Sequence, residues 1–379
     1  METRVAIPSI GEPPMRVLIV SDAWLPQVNG VVRSLQALAA AAAALGADIE
    51  FLTPQGFRSV ALPLYADIRL SLTTATSVGQ RIASHDASHV HLATEGPLGF
   101  AARRYCRHRG LPFTTSYHTR FPEYLAARIP IPTRWVYGML KSFHNAGSGT
   151  FVTTDSLKSD LQQRGFTKLM RWSLGVDHVR FHPRATRVLD VPGPIFLYVG
   201  RIAVEKNLRA FLDIDLPGTK VLVGDGPSRA ALESAYPAAL FLGVQEGERL
   251  AEIYSSADVF VFPSLTDTFG LVLLEAMACG VPVAGFPTPA NRDVVGGSGA
   301  GALSADLRQA CLAALDIPRW KPLARAQVFS WQRSAAQFLR NLEIAAAAGA
   351  SGIGLGSDRD PCPAAGRGGL DGARGLDSV

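Results

Sequence analysis

Residues 195–227, IFLYVGRIAVEKNLRAFLDIDLPGTKVLVGDGP, decide the fold. Two short apolar runs, IFLYV and KVLV, each end in a glycine turn, and a polar, helix-compatible segment near Asn207 separates them. Short strands that are apolar on both faces and joined by a helical crossover belong in a parallel sheet, because only helices on each side cover them fully. The rhythm continues downstream through a helix from Ser228, the strand ALFLG (239–243), a helix near Glu248 and the strand DVFVFP (258–263). Upstream it is already present. MRVLIV (15–20), Ile49 to Leu52, His89 to Leu92, Phe113 to Ser116 and Gly149 to Thr153 read as strands between helical stretches, the longest running from Val31 to Leu45 and stopped by Gly46. The chain is therefore predicted to be α/β, with the same architecture built twice.

The sequence VPGP (191–194) interrupts both periodicities and marks the boundary between an N-terminal domain, 15–190, and a C-terminal domain, 191–328. FSWQRSAAQFLRNL (329–342) carries Phe329, Trp331, Ala335, Phe338, Leu339 and Leu342 at mostly helical spacing, so residues 329–346 are predicted to form a docked amphipathic helix. Residues 1–14 read as a loose extension. Residues 347–379, rich in Gly, Ala and Pro without a hydrophobic period, read as a disordered tail.

Composition narrows the class. With 379 residues, 47% of them hydrophobic and 18% charged, the chain can bury a large core, which excludes wholesale disorder, a collagen-like repeat and a disulfide-stapled miniprotein. The four cysteines show no metal-ligand spacing. No run of about 18 uncharged apolar residues predicts a membrane span, and METRVAIPSIGEPP lacks the apolar region of a signal peptide, so a cytoplasmic protein is expected. Residues 1–190 hold 21 lysines and arginines against 13 acids, and the remainder 16 against 19, giving halves of +8 and −3. Such asymmetry points the first half toward an anionic partner, or reflects only an excess of solvated arginine.

In an open α/β sheet, ligands bind beyond the carboxyl ends of the strands, so residues just after the strands carry the chemistry. Asn29 and Gly30 precede the first helix, where backbone N–H groups can approach an anion; an Asn-Gly pair is also a common simple turn. GRIAVEKN (200–207) places Arg201 and Lys206 in one loop, two cations suited to a diphosphate unless they pair with Glu205 at the surface. After DVFVFP, Asp267 and Glu275 stand eight apart around a Phe-Gly turn. The N–H groups of Phe269, Gly270 and Leu271 can hold phosphate there, although chance alone supplies two or three such acid pairs. His118, in SYHTRFPEYL (116–125), can accept bonds from a sugar or serve as a structural histidine. GDGPSR lacks the third glycine of a dinucleotide fingerprint, which weakens an NAD-dependent oxidoreductase reading.

Taken in order, VNG (28–30), GRIAVEKN, VGDGP (223–227), SADVFVFPS (256–264) and DTFGLVLLEAMACGVPV (267–283) resemble the GT-B glycosyltransferases of family 4, over roughly Met15 to Leu342. TEGPLG (94–99), SYHTRFPEYL and TDTFGLVLLEA look most like bacterial α-mannosyltransferases that use GDP-mannose, with sulfoquinovosyl-diacylglycerol synthases as nearby relatives. The resemblance implies two Rossmann-like domains facing across a cleft, with a final helix crossing back to the first. It implies that Arg201 and Lys206 neutralise the donor diphosphate, that Glu275 binds the ribose hydroxyls, that Gly30 admits the phosphate on closure, and that His118 contacts the transferred sugar. Asp267 stands at the first acidic position of the family's E-x7-E motif, one methylene shorter than the usual glutamate. Gly243 to Glu248 would border the nucleobase.

The implied reaction is transfer of a glycosyl group from a nucleotide-sugar to an acceptor hydroxyl with retained configuration, without a metal, a cofactor or a protein nucleophile. The implied partners are the nucleotide-sugar donor and a lipid or glycan acceptor, with no nucleic acid. The arginine cluster RRYCRHR (103–109) suits anionic headgroups at the inner face of a membrane, or is only a solvated helix face. Competing expectations are a UDP-sugar-dependent sulfoquinovosyl or glucosyl transferase and a catalytically silent nucleotide-sugar-binding protein. PTPANRDVVGGSG (287–299) departs from the family: Asn291 and Arg292 replace a glycine-proline turn before the acidic residue.

Overall fold

A computed structural model describes residues 14–25, 29–62, 65–126, 131–185 and 187–352, apart from the side chains of 61–69, 124 and 350–352. The first half contains β1 (Met15–Val20), α1 (Gly30–Ala43), β2 (Ala47–Leu52), β3 (Ser59–Leu62), β4 (Tyr65–Ser71), α2 (Ala75–Ser84) and β5 (His89–Leu92). There follow α3 (Pro97–Arg109), β6 (Phe113–Tyr117), α4 (Phe121–Ala126), α5 (Thr133–Asn145), β7 (Gly149–Val152), α6 (Asp155–Gln163) and β8 (Leu169–Arg171). Six of these strands form one parallel sheet in the order β2-β1-β5-β6-β7-β8. Its inner strands β6 and β7 are buried at every position, which is why they read as continuous apolar or small-residue runs rather than as alternations.

The second half contains β9 (Ile195–Val199), α7 (Leu208–Leu212), β10 (Thr219–Val223), α8 (Arg229–Ala235), β11 (Leu240–Phe241), α9 (Gly247–Ser256) and β12 (Val259–Phe262). It continues with α10 (Leu271–Ala278), β13 (Val283–Gly285), α11 (Pro289–Val294), β14 (Gly301–Leu303), α12 (Leu307–Leu315) and α13 (Trp320–Ala326). Its sheet is also parallel, ordered β11-β10-β9-β12-β13-β14, so strand order reverses at β9 and the crevice beside β9 and β12 is the place for a ligand. The tight crossing of the β9 and β10 loops demands glycine. A Cβ on Gly224, whose φ is +133°, would stand 1.9 Å from the carbonyl oxygen of Gly200.

The last helix, α14 (Trp331–Gly352), returns to the first domain. Trp172 Nε1 donates to Ser334 Oγ at 3.0 Å, Asn341 Nδ2 to the carbonyl of Arg171 at 2.8 Å, and the amide of Ser173 to Gln337 Oε1 at 2.8 Å. Phe338 fills the space between His91, Phe151 and Trp172, with ring centroids 5.0 to 5.3 Å apart. One apolar cluster thus joins β1 and α1 to β9, β12, α10 and α14 across the two domains.

Two expectations need correction. The helix does not stop at 346 but runs to Gly352, because its alanine-rich end retains a high helix propensity; the remainder of the expected tail, 353–379, and residues 1–13 of the expected extension lie outside the described residues. Between β2 and α2 stands an antiparallel pair, β3 with β4, that the strand-helix rhythm did not suggest. Among the described residues, no helix is long and apolar enough to cross a membrane.

Candidate functional site

The site's second-domain wall is built from two loops. After β9, the hydroxyl of Tyr198 donates to the carbonyl of Arg201 at 2.8 Å and sets the path of GRIAVEKN, which closes in a 3-10 turn, Val204–Lys206. Asn207 then donates to the carbonyl of Pro263 at 3.2 Å, fastening this loop to the one that follows β12. Across the junction Lys206 Nζ donates to Asp267 Oδ1 at 2.6 Å, so the lysine's partner is Asp267 rather than the neighbouring Glu205. Burial alone would raise the Asp267 carboxyl, but the adjoining ammonium prevails and holds it below its ordinary value. Asp267 Oδ2 and Ser264 Oγ, neighbours close enough for the hydroxyl to help hold the carboxyl low, are buried with no well-formed hydrogen bond among the described residues. Buried polar atoms in that condition are costly unless a ligand or water serves them.

Gly270, at φ +84°, caps α10, a position only glycine takes without strain, and no side chain caps the helix. The first amides of α10, from Leu271 onward, are thus left without a capping side chain. Phe269, by contrast, is only 2% exposed and packs toward Phe329, so its side chain belongs to the core and only its main chain can meet a ligand. One turn into α10, Glu275 is nearly buried. Its Oε2 accepts from the Tyr254 hydroxyl at 2.8 Å, and burial pushes its carboxyl above the ordinary range.

The first domain supplies the opposite wall. Asn29 caps α1 by accepting from the amide of Val32 at 3.0 Å, and a Cβ on Gly30 would stand 3.9 Å from Leu271 Cδ1, so the start of α1 faces the start of α10. His118 follows β6, its ring against Trp172 at 5.6 Å between centroids. Its carbonyl accepts from Thr268 Oγ1 at 2.6 Å, while Thr153 Oγ1 donates to the carbonyl of Thr268 at 3.4 Å. His118 thereby sits against the residue that follows Asp267. Burial pushes the imidazole down to about 4, and Nε2 lacks a hydrogen-bond partner among the described residues, so at neutral pH the ring is uncharged.

The acid response follows from that shift. A histidine titrating near 6.5 when unfolded and near 4 when folded leaves the unfolded chain binding more protons between those values. Its stabilising contribution is complete above about pH 6.5 and is lost as pH falls toward 4, by about 3 kcal/mol. His118→Asn is expected to flatten the decline of stability between pH 7 and 5, measured by urea unfolding. Asp22 and Glu275, both raised by burial, contribute the opposite slope, and the comparison of variant with parent removes them. An unchanged slope would place the histidine in water.

Three features escaped the sequence reading. Arg33, three residues beyond Gly30 on α1, crosses the cleft to within 3.8 Å of Glu275 and 3.7 Å of Glu246. Tyr254 holds Glu275 from α9. The 287–299 segment, which carries α11, docks on the first domain: both carboxylate oxygens of Asp293 accept from Ser156, one from its amide and one from its hydroxyl, each at 2.9 Å. Arg325 steadies this contact by donating to the carbonyls of Asp293 and Val294 at 2.7 Å. Asn291 is fully buried and donates to the carbonyl of Phe286, whereas Arg292 is exposed. The arginine cluster is divided on α3: Arg103 donates to the carbonyls of Ser142 and Phe143, Cys106 is buried, and Arg104, Arg107 and Arg109 are left toward solvent.

Two parallel-sheet domains with this seam define a GT-B glycosyltransferase, and the chain belongs to family 4. The model for Glycosyltransferase Family 4 matches residues 28–180, and that for Glycosyl transferases group 1 matches 193–316. A GDP-mannose-dependent alpha-mannosyltransferase of Mycobacterium tuberculosis is 31% identical over 308 residues, covering 74% of this chain and 81% of that protein. A protein of the same description from Corynebacterium glutamicum is 31% identical over 72% of each chain. A sulfoquinovosyl transferase of Arabidopsis thaliana is 34% identical over 60% of this chain and 48% of its own length. Among solved structures, sucrose-phosphate synthase from Thermosynechococcus elongatus shares the fold, with a TM-score of 0.72, 21% identity, and coverage of 88% of this chain and 100% of that one.

Proposed function

We propose that this glycosyltransferase moves mannose from GDP-mannose to an acceptor hydroxyl with retention of configuration. The observation that carries the transfer chemistry is the seam where Lys206 and Asp267 meet beside His118, with Asp267 Oδ2 and His118 Nε2 both buried and lacking well-formed partners among the described residues. Mannose as the sugar and guanosine as the nucleoside come from the two relatives described as GDP-mannose-dependent alpha-mannosyltransferases.

In this reading the donor diphosphate lies against Lys206, Arg201 and the amide end of α10, where Gly270 and Leu271 offer N–H groups. Cations and amides fixed in place stabilise the charge that develops on the leaving diphosphate, without reorganising during the reaction. Uncharged His118 offers Nε2 to a hydroxyl of the sugar. A cationic imidazole could only donate, so the depressed titration preserves its accepting role. Asp267 keeps Lys206 directed into the cleft and presents its second oxygen to the sugar ring. Glu275 receives the ribose hydroxyls. The acceptor enters from the first domain, and the exposed Arg104, Arg107 and Arg109 draw that domain toward anionic lipid headgroups.

Differential scanning fluorimetry with GDP, UDP, ADP and NAD tests the donor, because a ligand bound to the folded state raises its melting temperature by mass action. GDP alone is expected to stabilise the protein. A response to UDP alone would favour the second reading, a sulfoquinovosyl or glucosyl transferase, which the likeness to the Arabidopsis protein supports. Co-sedimentation with liposomes that is indifferent to anionic lipid content would remove the lipid headgroup from the account.

A further inference from the structure

Glu275 and Glu246 are two carboxylates of the second domain, yet their cationic neighbour Arg33 comes from the first. Arg33 Nη1 lies 3.8 Å from Glu275 Oε1, and Nη2 lies 3.7 Å from Glu246 Oε1, so a single guanidinium bridges them across the cleft. Glu246 stands just before the start of α9 with its side chain not engaged in capping the helix, and Glu275 lies on α10 with only a tenth of its side chain exposed. The groups facing Glu275 are few. Tyr254 donates from α9, Arg180 approaches from the segment leading out of the first domain but is itself near Asp177, and Cys279 lies one turn along the same helix.

We infer that Arg33 is a positioning residue which, when the domains meet, keeps Glu275 ionised and therefore able to accept both hydroxyls of a nucleoside ribose. The inference rests on the nucleotide-sugar reading above and adds to it the residue that makes the ribose carboxylate competent. A carboxylate removed from water regains a proton unless a cation or donors hold the charge, and a protonated carboxyl has less capacity to accept. Tyr254 alone occupies one oxygen; Arg33 serves the other. Nucleotide affinity thus depends on the first domain even though the nucleotide-contacting residues assigned above lie mostly in the second. Distances near 3.8 Å leave the guanidinium close enough to act by charge while not competing for the oxygen by a short hydrogen bond.

The test is the dissociation constant of GDP and, in parallel, UDP, measured by calorimetry from pH 8 to pH 6 for the intact protein, Arg33→Met and Arg33→Lys. The ratio of variant to parent removes the titration of the nucleotide itself. For Arg33→Met the ratio is expected to be near one at pH 8 and to rise about tenfold by pH 6. Arg33→Lys, which keeps the charge, is expected to stay within about threefold throughout. A ratio near one at every pH would overturn the inference, as would a uniform loss that lysine does not relieve, which would make Arg33 a direct nucleotide contact. Binding of UDP instead of GDP with the same pH signature would support Arg33 while overturning the mannose assignment. Binding of neither by the parent protein would overturn both.

Discussion

Lys206→Met is expected to lower kcat/KM for glycosyl transfer from GDP-mannose by about a hundred- to a thousandfold, the loss seen when one preorganised donor to a developing negative charge is removed. The substitution has a second consequence that must be separated from the first. Asp267 is largely withdrawn from water and has Lys206 as its ion-pair partner at 2.6 Å, so losing the lysine leaves a poorly compensated charge and destabilises the fold. Adding Asp267→Asn removes that stranded charge. The double variant is expected to recover most of the lost stability in urea unfolding and to remain inactive. Recovery of activity together with stability would show that Lys206 acts only as the counter-ion of Asp267.

Trp172→Ala is expected to cost about 3–5 kcal/mol, the range for removing a large aromatic side chain from a packed interior. Trp172 is fully buried, meets Phe151 edge-on and Phe338 at a tilt, supports the ring of His118, and donates to Ser334 from the first domain to α14. Trp172→Phe retains most of the volume and loses the hydrogen bond, for which about 1 kcal/mol is expected. Urea unfolding followed by circular dichroism distinguishes the two. If alanine and phenylalanine cost the same, the packing account fails and the hydrogen bond carries the contact.

The strand-helix alternation was legible because it is dictated locally. A parallel strand buried on both faces must be apolar or small at every position, and the turn after it must tolerate close backbone approach, as at Gly200 and Gly224. The order of the motifs along those turns was enough to identify the family. The hairpin of β3 and β4 was not legible, since Pro63 and Leu64 interrupt a run too weakly patterned to show its pairing. Contacts between the domains were hidden for a different reason. Arg33 and Glu275 are separated by 242 positions, and Ser156 and Asp293 by 137, so nothing in either neighbourhood announces the other. His118, Lys206 and Asp267 could be placed at strand ends from local sequence, whereas the partners that Arg33 and Asp293 meet in the opposite domain could not. His118 shows the boundary between the two cases: its position after β6 could be read, whereas its depressed titration depends on the burial created by packing beside Trp172.

The return of α14 to the first domain also sets a schedule for the newly made chain. Residues 15–171 contain every strand of the first sheet, but the face around His91, Phe151 and Trp172 is covered only when Phe338 and its neighbours have been synthesised. At about 5–20 residues per second, the intervening stretch takes roughly ten to thirty seconds to emerge. Throughout that interval the first domain has an uncovered apolar surface and His118 lacks its finished support. The helix made last is thus the piece that completes the domain made first.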